Sequence, residues 1–287
     1  MSSEPSSDFT LDPRFAFDFV ALDPDDDLDD GSRWSTWLAV EPLCRGPRPR
    51  PDWVVTSQAA IDTDLGILKT GKEADAFLLE RAVPGSDELG ESGVMVAKRS
   101  RGEDHRSFHR SATYTEGRRT RNTRDMRAMT NKTAYGRSVA AGQWARAEWE
   151  ALVRCHELGL PVPYPVQVDG TEILMEWIRV DGETAPRLAQ TRPAPELLSS
   201  YFQQLRDFLL TLTEHGLVHG DLSPYNVLAA GERLVVIDLP QMVDLVANPT
   251  GADFLLRDCT NVCRWFAARG LDVDEQALFG ELMAVAF

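Results

Sequence analysis

Three short runs, Leu65 to Lys69, Ala76 to Glu80 and Val94 to Lys98, mix apolar and polar residues at strand spacing. A glycine-containing turn, Thr70-Gly71-Lys72-Glu73, separates the first two, and a loop around Pro84 and Gly85 separates the second pair. That order predicts an antiparallel sheet. From Ala141 the period changes: Trp144, Glu148, Ala151, Leu152 and Cys155 fall at i, i+4, i+7, i+8 and i+11, one face of a helix. Gly159 sits where that helix should stop, and Pro161, Pro163 and Pro165 forbid its continuation. Two more strands are expected near Val166 to Val168 and Glu172 to Trp177.

The strongest helical pattern is Pro195 to His215. Leu198, Tyr201, Phe202, Leu205, Phe208, Leu209 and Leu212 form a wide apolar stripe, and Gly216 ends it. Two short strands, Asn226 to Ala229 and Leu234 to Ile237, flank a turn at Gly231, and the remainder, Ala252 to Gly270 and Asp274 to Phe287, reads as helices. The expected class is α+β, with a sheet-rich N-terminal half (about residues 52–177), a helical C-terminal half (about 178–287) and a cleft between them.

Composition changes this picture in two places. The chain of 287 residues carries 30 Lys and Arg against 45 Asp and Glu, a net charge of −15, which argues against a surface that is basic overall. Residues 1–51 are rich in Ser, Asp, Pro and Arg, and six of the eight residues from Asp23 to Asp30 are Asp. This stretch is expected to be a mostly disordered acidic tail, with a short anchored piece at Trp34 to Val40, and order is expected from near Trp53. By contrast, Arg101 to Arg137 holds ten Arg or Lys against four Asp or Glu. A basic, flexible loop over 101–140 is expected. No run of about 18 apolar residues and no basic-then-apolar leader is seen, so the expected location is the cytoplasm, away from membranes. Cys44, Cys155, Cys259 and Cys263 lack zinc-site spacing and are expected to be reduced structural thiols.

The chemistry concentrates in His219-Gly220-Asp221-Leu222-Ser223-Pro224-Tyr225-Asn226, followed by Ile237-Asp238. An Asp follows a long helix, an Asn comes five residues later, and a second Asp ends an apolar strand twelve residues beyond that. One carboxylate can accept a proton from a hydroxyl, while an amide oxygen and the other carboxylate suit a hard cation such as Mg2+. Any one of these residues alone would suit a turn; the ordered set does not. His219 is expected to hold the loop rather than carry a proton. Upstream, Lys98 ends an apolar strand, where its ammonium can meet phosphates, and Glu148 on the next helix can pair with it. The Thr70-Gly71-Lys72 turn offers backbone N–H groups to phosphates.

These pieces, together with Val96-Ala97-Lys98, Trp144-Ala145-Arg146-Ala147-Glu148, Ile237-Asp238-Leu239-Pro240-Gln241 and Arg257-Asp258-Cys259-Thr260-Asn261-Val262, resemble the RIO family of atypical serine/threonine protein kinases. They run in order from about Ile67 to Gly270. The resemblance implies a two-lobed kinase-like fold with a reduced C-lobe lacking a full activation segment, since only 49 residues follow Asp238. It implies ATP and Mg2+ as cofactors, with Asp221 as catalytic base, Asn226 and Asp238 as metal ligands, and Lys98, held by Glu148, on the α/β-phosphates. Asp238 could itself take a phosphoryl group and support an ATPase cycle or autophosphorylation. Met175 resembles the residue gating the adenine pocket, with backbone groups of Glu176 and Ile178 facing the adenine. Thr70, Gly220 and Pro224 depart from the more usual Ser, Ala and Glu. The short segment before the phosphate loop suggests the subgroup without a winged helix.

Two other readings stay open. Small-molecule phosphotransferases of the aminoglycoside and choline kinase type share the H-G-D-L-x-x-x-N and I-D pattern, but usually have a larger helical half. An ATP-gated module could instead use loop 101–137, where Phe108, Tyr114 and Tyr135 interleave with the basic residues, to contact RNA or a ribosomal particle. The same composition suits a solvated loop or a self-phosphorylating segment.

Overall fold

The structure is a computed structural model and describes residues 28, 31–86, 90–101 and 134–286, with the backbone alone over 134–140. The N-terminal lobe holds strands β1 (Ser32–Trp34), β2 (Ile61–Thr70), β3 (Ala74–Ala82) and β4 (Ser92–Ser100), then helix α1 (Ala134–Glu157), then β5 (Pro165–Asp169) and β6 (Glu172–Glu176). The six strands form one sheet in the order β1-β2-β3-β4-β6-β5, every neighbouring pair antiparallel. A hairpin, β7 (Arg179–Val180) and β8 (Glu183–Thr184), leads to helix α2 (Pro195–Glu214). Then come β9 (Leu217–Val218), the hairpin β10 (Val227–Ala230) and β11 (Arg233–Val236), β12 (Val243–Asp244), and helices α3 (Gly251–Ala267) and α4 (Glu275–Val285). The α+β reading holds: among the described residues, helices α3 and α4 follow β12.

Strand alternation decides which side chains reach the cleft. On β4, Met95 and Ala97 are fully buried in the N-lobe core with Trp37, Leu79, Tyr164 and Leu174. Their neighbours Val96 and Lys98 therefore point to the opposite face, which lines the cleft. The stripe on α2 behaves as its spacing predicts: Leu198, Tyr201, Leu205, Phe208, Leu209 and Leu212 are buried in one large core with α3 residues Leu255, Cys259, Val262 and Phe266.

Order begins earlier than composition suggested. The anchored piece expected at Trp34 to Val40 is present, with Trp37 only 3% exposed and the Arg45 and Arg50 guanidinium carbons 5.6 and 4.9 Å from its ring centroid, and order extends to both sides of it: β1 pairs with β2. The segment then crosses the back of the lobe: Gly46 N–H donates to Val166 O (2.9 Å) and Tyr164 Oη–H donates to Pro47 O (2.6 Å). It also reaches α1, where Trp149 Nε1–H donates to Leu43 O (3.2 Å). Beneath it a buried network fixes the sheet. Arg81 Nε and Nη2 donate to the two oxygens of Asp62 (2.6 and 2.9 Å), Arg81 Nη1 donates to Gln167 Oε1 (3.2 Å), and Gln167 Nε2 donates to Thr36 Oγ1 (2.6 Å).

Helix α1 also starts earlier, at Ala134 rather than Ala141. Arg101, the expected start of the flexible loop, is held by Asp75, its Nε donating to Oδ2 at 2.6 Å. The remainder of the basic loop up to residue 133, and the acidic run within the tail, lie outside the described residues. All four cysteines are free thiols, and burial pushes Cys155 and Cys259 up to about 12 and Cys263 to about 11. Among the described residues no helix is long and apolar enough to cross a membrane.

Candidate functional site

A cleft of about 700 Å³ separates the sheet from the helical lobe. Its roof is the β2–β3 hairpin. Gly71 N–H donates to Ala74 O (3.0 Å), and a Cβ at Gly71 would lie 2.5 Å from that same oxygen, so the turn admits only glycine without shifting.

Three charged groups from distant parts of the chain meet in the cleft. Lys98 Nζ donates to Glu148 Oε1 on α1 and to Asp238 Oδ1 (2.8 Å) from the segment after β11. Burial works to lower the Lys98 pKa, but the Asp238 and Glu148 charges and hydrogen bonds outweigh it, and the value stands raised. Asp238 is lowered, chiefly by the Lys98 charge. Glu148, 3% exposed, is raised by burial against the opposing pull of Lys98. Asp238 adopts φ 69°, a left-handed conformation that costs a non-glycine residue roughly 1–2 kcal/mol. Strain of that kind persists where surrounding contacts hold it, and the Lys98 bond is one of them.

The floor is the segment from His219 to Asn226. Asp221 lines the cleft, while Asn226, 8% exposed, sits behind it and donates from Nδ2 to Asp221 O (2.9 Å). That bond uses the amide nitrogen of Asn226 and leaves its amide oxygen as the side-chain acceptor. His219 is fully buried, and burial lowers its pKa to about 4, so it is neutral near pH 7, in keeping with a holding role.

Helix α3 fixes this floor from below. Asp258, fully buried, accepts from Gly220 N–H through Oδ2 and from Leu222 N–H through Oδ1, each at 2.8 Å. Arg257 donates to Gly220 O, and Asn261 Nδ2 donates to Leu222 O (3.1 Å). Sequence reading matched Arg257, Asp258 and Asn261 to a family pattern but gave them no role. The available signal was a carboxylate on the apolar face of α3, between Leu255 and Cys259.

The back of the cleft is the β6 end. Met175, Glu176 and Ile178 line it with Trp177. Glu176 N–H donates to Tyr164 O (2.9 Å), and Ile178 O accepts from Ala185 N–H (3.0 Å). Trp177 packs rather than covers: its Nε1–H donates to Thr184 Oγ1 (2.9 Å). Of the residues expected at the site, Gly71, Lys72, Lys98, Glu148, Met175, Glu176, Ile178, Asp221 and Asp238 line the one cleft; Thr70, exposed on β2, and Asn226 do not form its wall.

Comparisons with known proteins agree with this architecture. The family model described as "RIO domain" matches residues 104–278. The chain is 34% identical over 219 residues to the RIO-type serine/threonine-protein kinase Rio1 of Haloferax volcanii, covering 76% of this chain and 68% of that protein. It is 37% identical over 131 residues to the serine/threonine-protein kinase RIO1 of Caenorhabditis elegans, but that match spans 45% of this chain and only 26% of the nematode protein. Among solved structures, the Rio2 kinase from Chaetomium thermophilum superimposes with a TM-score of 0.52 at 22% identity, over 77% of this chain and 63% of that one, a likeness of fold.

Proposed function

The chain belongs to the RIO domain family, and from that premise we propose that it transfers the γ-phosphoryl group of ATP to serine or threonine hydroxyls of a protein, itself included. The observation that carries this reading is the meeting of Lys98, Glu148 and Asp238 from three separate elements at one cleft whose floor presents Asp221. In the proposed reaction the Asp221 carboxylate accepts the hydroxyl proton. The hydroxyl oxygen then bonds to the γ-phosphorus, and the bond to the β–γ bridging oxygen breaks to release ADP. Lys98, oriented by Glu148, holds the α/β-phosphates. The Ile178 N–H, which donates to no backbone carbonyl among the described residues, suits the adenine edge.

The donor set fits magnesium. Asp238 and Asn226 supply oxygen atoms, and the described residues contain no group of three or more His, Cys, Asp or Glu that would hold a metal by themselves, so phosphate oxygens and water would complete the shell. Magnesium bound there would neutralise phosphate charge. Asp238 is also proposed to attack the γ-phosphorus directly, releasing ADP and forming an acyl phosphate that water returns to carboxylate and phosphate.

Incubation with γ-labelled ATP and magnesium tests the reading. Label on Ser or Thr supports protein phosphorylation, and a base-labile acyl label lost in Asp238→Asn supports the second route. Asp221→Asn should abolish transfer to hydroxyls while ATP still binds; unchanged turnover in that variant removes the mechanism.

A further inference from the structure

The family-derived site accounts for Lys98 and Lys72, but two further cations line the same cleft, Lys69 and Arg187. Strand register fixes the first. Lys69 on β2 lies opposite Ala76 on β3, and Ala76 lies opposite Lys98 on β4. Residues directly opposite on neighbouring strands share a face. Lys69 and Lys98 are therefore the two ends of one cross-strand row with only an alanine between them, about 10 Å apart at the backbone. Arg187 comes from the other side of the cleft. Its backbone is held by the segment that follows Asp221: Arg187 bridges Leu228, Ala189 N–H donates to Pro224 O (2.9 Å), and Ala229 N–H donates to Pro186 O (2.8 Å).

Among the described residues Lys69 and Arg187 form no ion pair, whereas other charged groups along the cleft are engaged: Lys98 with Glu148 and Asp238, Asp75 with Arg101, and Glu176 with Tyr164 N–H (3.0 Å). Burial followed by the mutual nearness of the two cations lowers Lys69, and burial lowers Arg187 while Asp238 pulls it back up. In a chain of net charge −15, two neighbouring cations that form no ion pair among the described residues, facing a cavity from opposite walls, are arranged for a polyanion.

We propose that Lys69 and Arg187 form a two-sided clasp on the phosphate chain of the nucleotide, closing on it from the roof and the floor while Lys98 holds its other end. This assignment rests on the nucleotide reading above and adds two binding residues to it. Arg187 offers a forked donor suited to phosphate oxygens, and Lys69 a point charge.

Equilibrium binding of Mg-ATP, inorganic tripolyphosphate and adenosine to the full chain separates the outcomes. Lys69→Gln changes an exposed side chain and leaves the fold intact. Arg187→Gln removes the fork, and Arg187→Lys keeps the charge. Each Gln variant should lose about tenfold or more in affinity for Mg-ATP and for tripolyphosphate. Adenosine affinity should stay unchanged, and Arg187→Lys should recover part of the loss. Unchanged Mg-ATP affinity in either Gln variant overturns the clasp, as does an equal loss for adenosine, which would mean a shape defect. If the unaltered chain binds adenosine and Mg-ATP equally well, the clasp alone fails; if it binds neither, the nucleotide reading itself fails.

Discussion

Removing the Asp258 carboxylate should loosen the floor of the cleft without touching any group that faces it. Each carboxylate oxygen accepts one backbone N–H, from Gly220 and from Leu222, at 2.8 Å, and the residue is fully buried. Asp258→Ala leaves both N–H groups buried and unpaired at about 1–3 kcal/mol each, so a loss of roughly 2–6 kcal/mol is expected. Asp258→Asn keeps one acceptor and turns an amide donor toward the other N–H, so its cost should be about half. Because Asp221 lies between the two anchored residues, transfer should fall steeply, up to about 10²-fold for an ångström of misplacement. Mg-ATP affinity, set elsewhere in the cleft, should change little. Burial pushes the Asp258 carboxyl up to about 7, against the pull of its two backbone donors. A raised value means the folded state holds the proton more tightly than the unfolded one. The contribution is complete below about pH 4 and is lost as pH rises through about 7. Urea unfolding followed by far-ultraviolet circular dichroism across that range should show wild-type stability falling with pH and a flatter profile for Asp258→Asn. A midpoint unchanged in Asp258→Ala, with full activity, would refute the clamp.

Three further outcomes follow from named contacts. Glu148→Ala should leave Lys98 with Asp238 as its remaining carboxylate partner and cut transfer by roughly 10²-fold, read as a fall in kcat/KM, and a change under threefold would contradict its orienting role. Arg81→Ala leaves Asp62, 1% exposed, with only the longer contact to Arg33 Nε (3.7 Å) and should cost about 3 kcal/mol in unfolding free energy, whereas replacing both Arg81 and Asp62 by apolar residues should cost less. Trp149→Phe removes the bond to Leu43 O (3.2 Å) at about 0.5–1.5 kcal/mol, and limited proteolysis should then cut within residues 35–50 sooner; unchanged cleavage would mean that the segment's other contacts hold it without that bond.

What the sequence made legible and what it hid divide along physical lines. β4 and α2 were legible because one face of each is buried by the chain's own core, which imprints a period of two or of 3.6 on the residues. Lys98, Asp221 and Asp238 were legible because each ends or follows such an element. Within residues 31–51 only the anchored piece at 34–40 was: the prolines and arginines around it carry no period, and the order comes from distant partners, Trp37 under Arg45 and Arg50, Thr36 on Gln167, Leu43 on Trp149. The early turns of α1 were hidden because they continue a basic stretch with few aliphatic residues. Asp258 was visible as a letter in a motif, but its role depends on two backbone amides some 36 and 38 positions away. Arg187 and Lys69 belong to no motif, and strand register places Lys69 in the Lys98 row.

Glu148, Asp221, Asp238 and Asp258 are the same functional group in four environments, and environment assigns the work. Asp238 lies against an ammonium, so its charge is stabilised and it is suited to hold a cation and phosphate oxygens. Glu148 shares that ammonium from a buried position where ionisation is costly, so its use is to aim Lys98 and not to exchange protons with the cleft. Asp258 faces backbone amides with no opening to the cleft, so despite a value near neutrality it cannot reach an incoming hydroxyl; its hydrogen bonds shape the loop instead. Asp221 lines the cleft, on a loop whose two flanking amides are fixed from behind. A base must be both accessible and held, and the role proposed for Asp221 rests on that combination: it lines the cleft, and Asp258 holds the loop on which it sits.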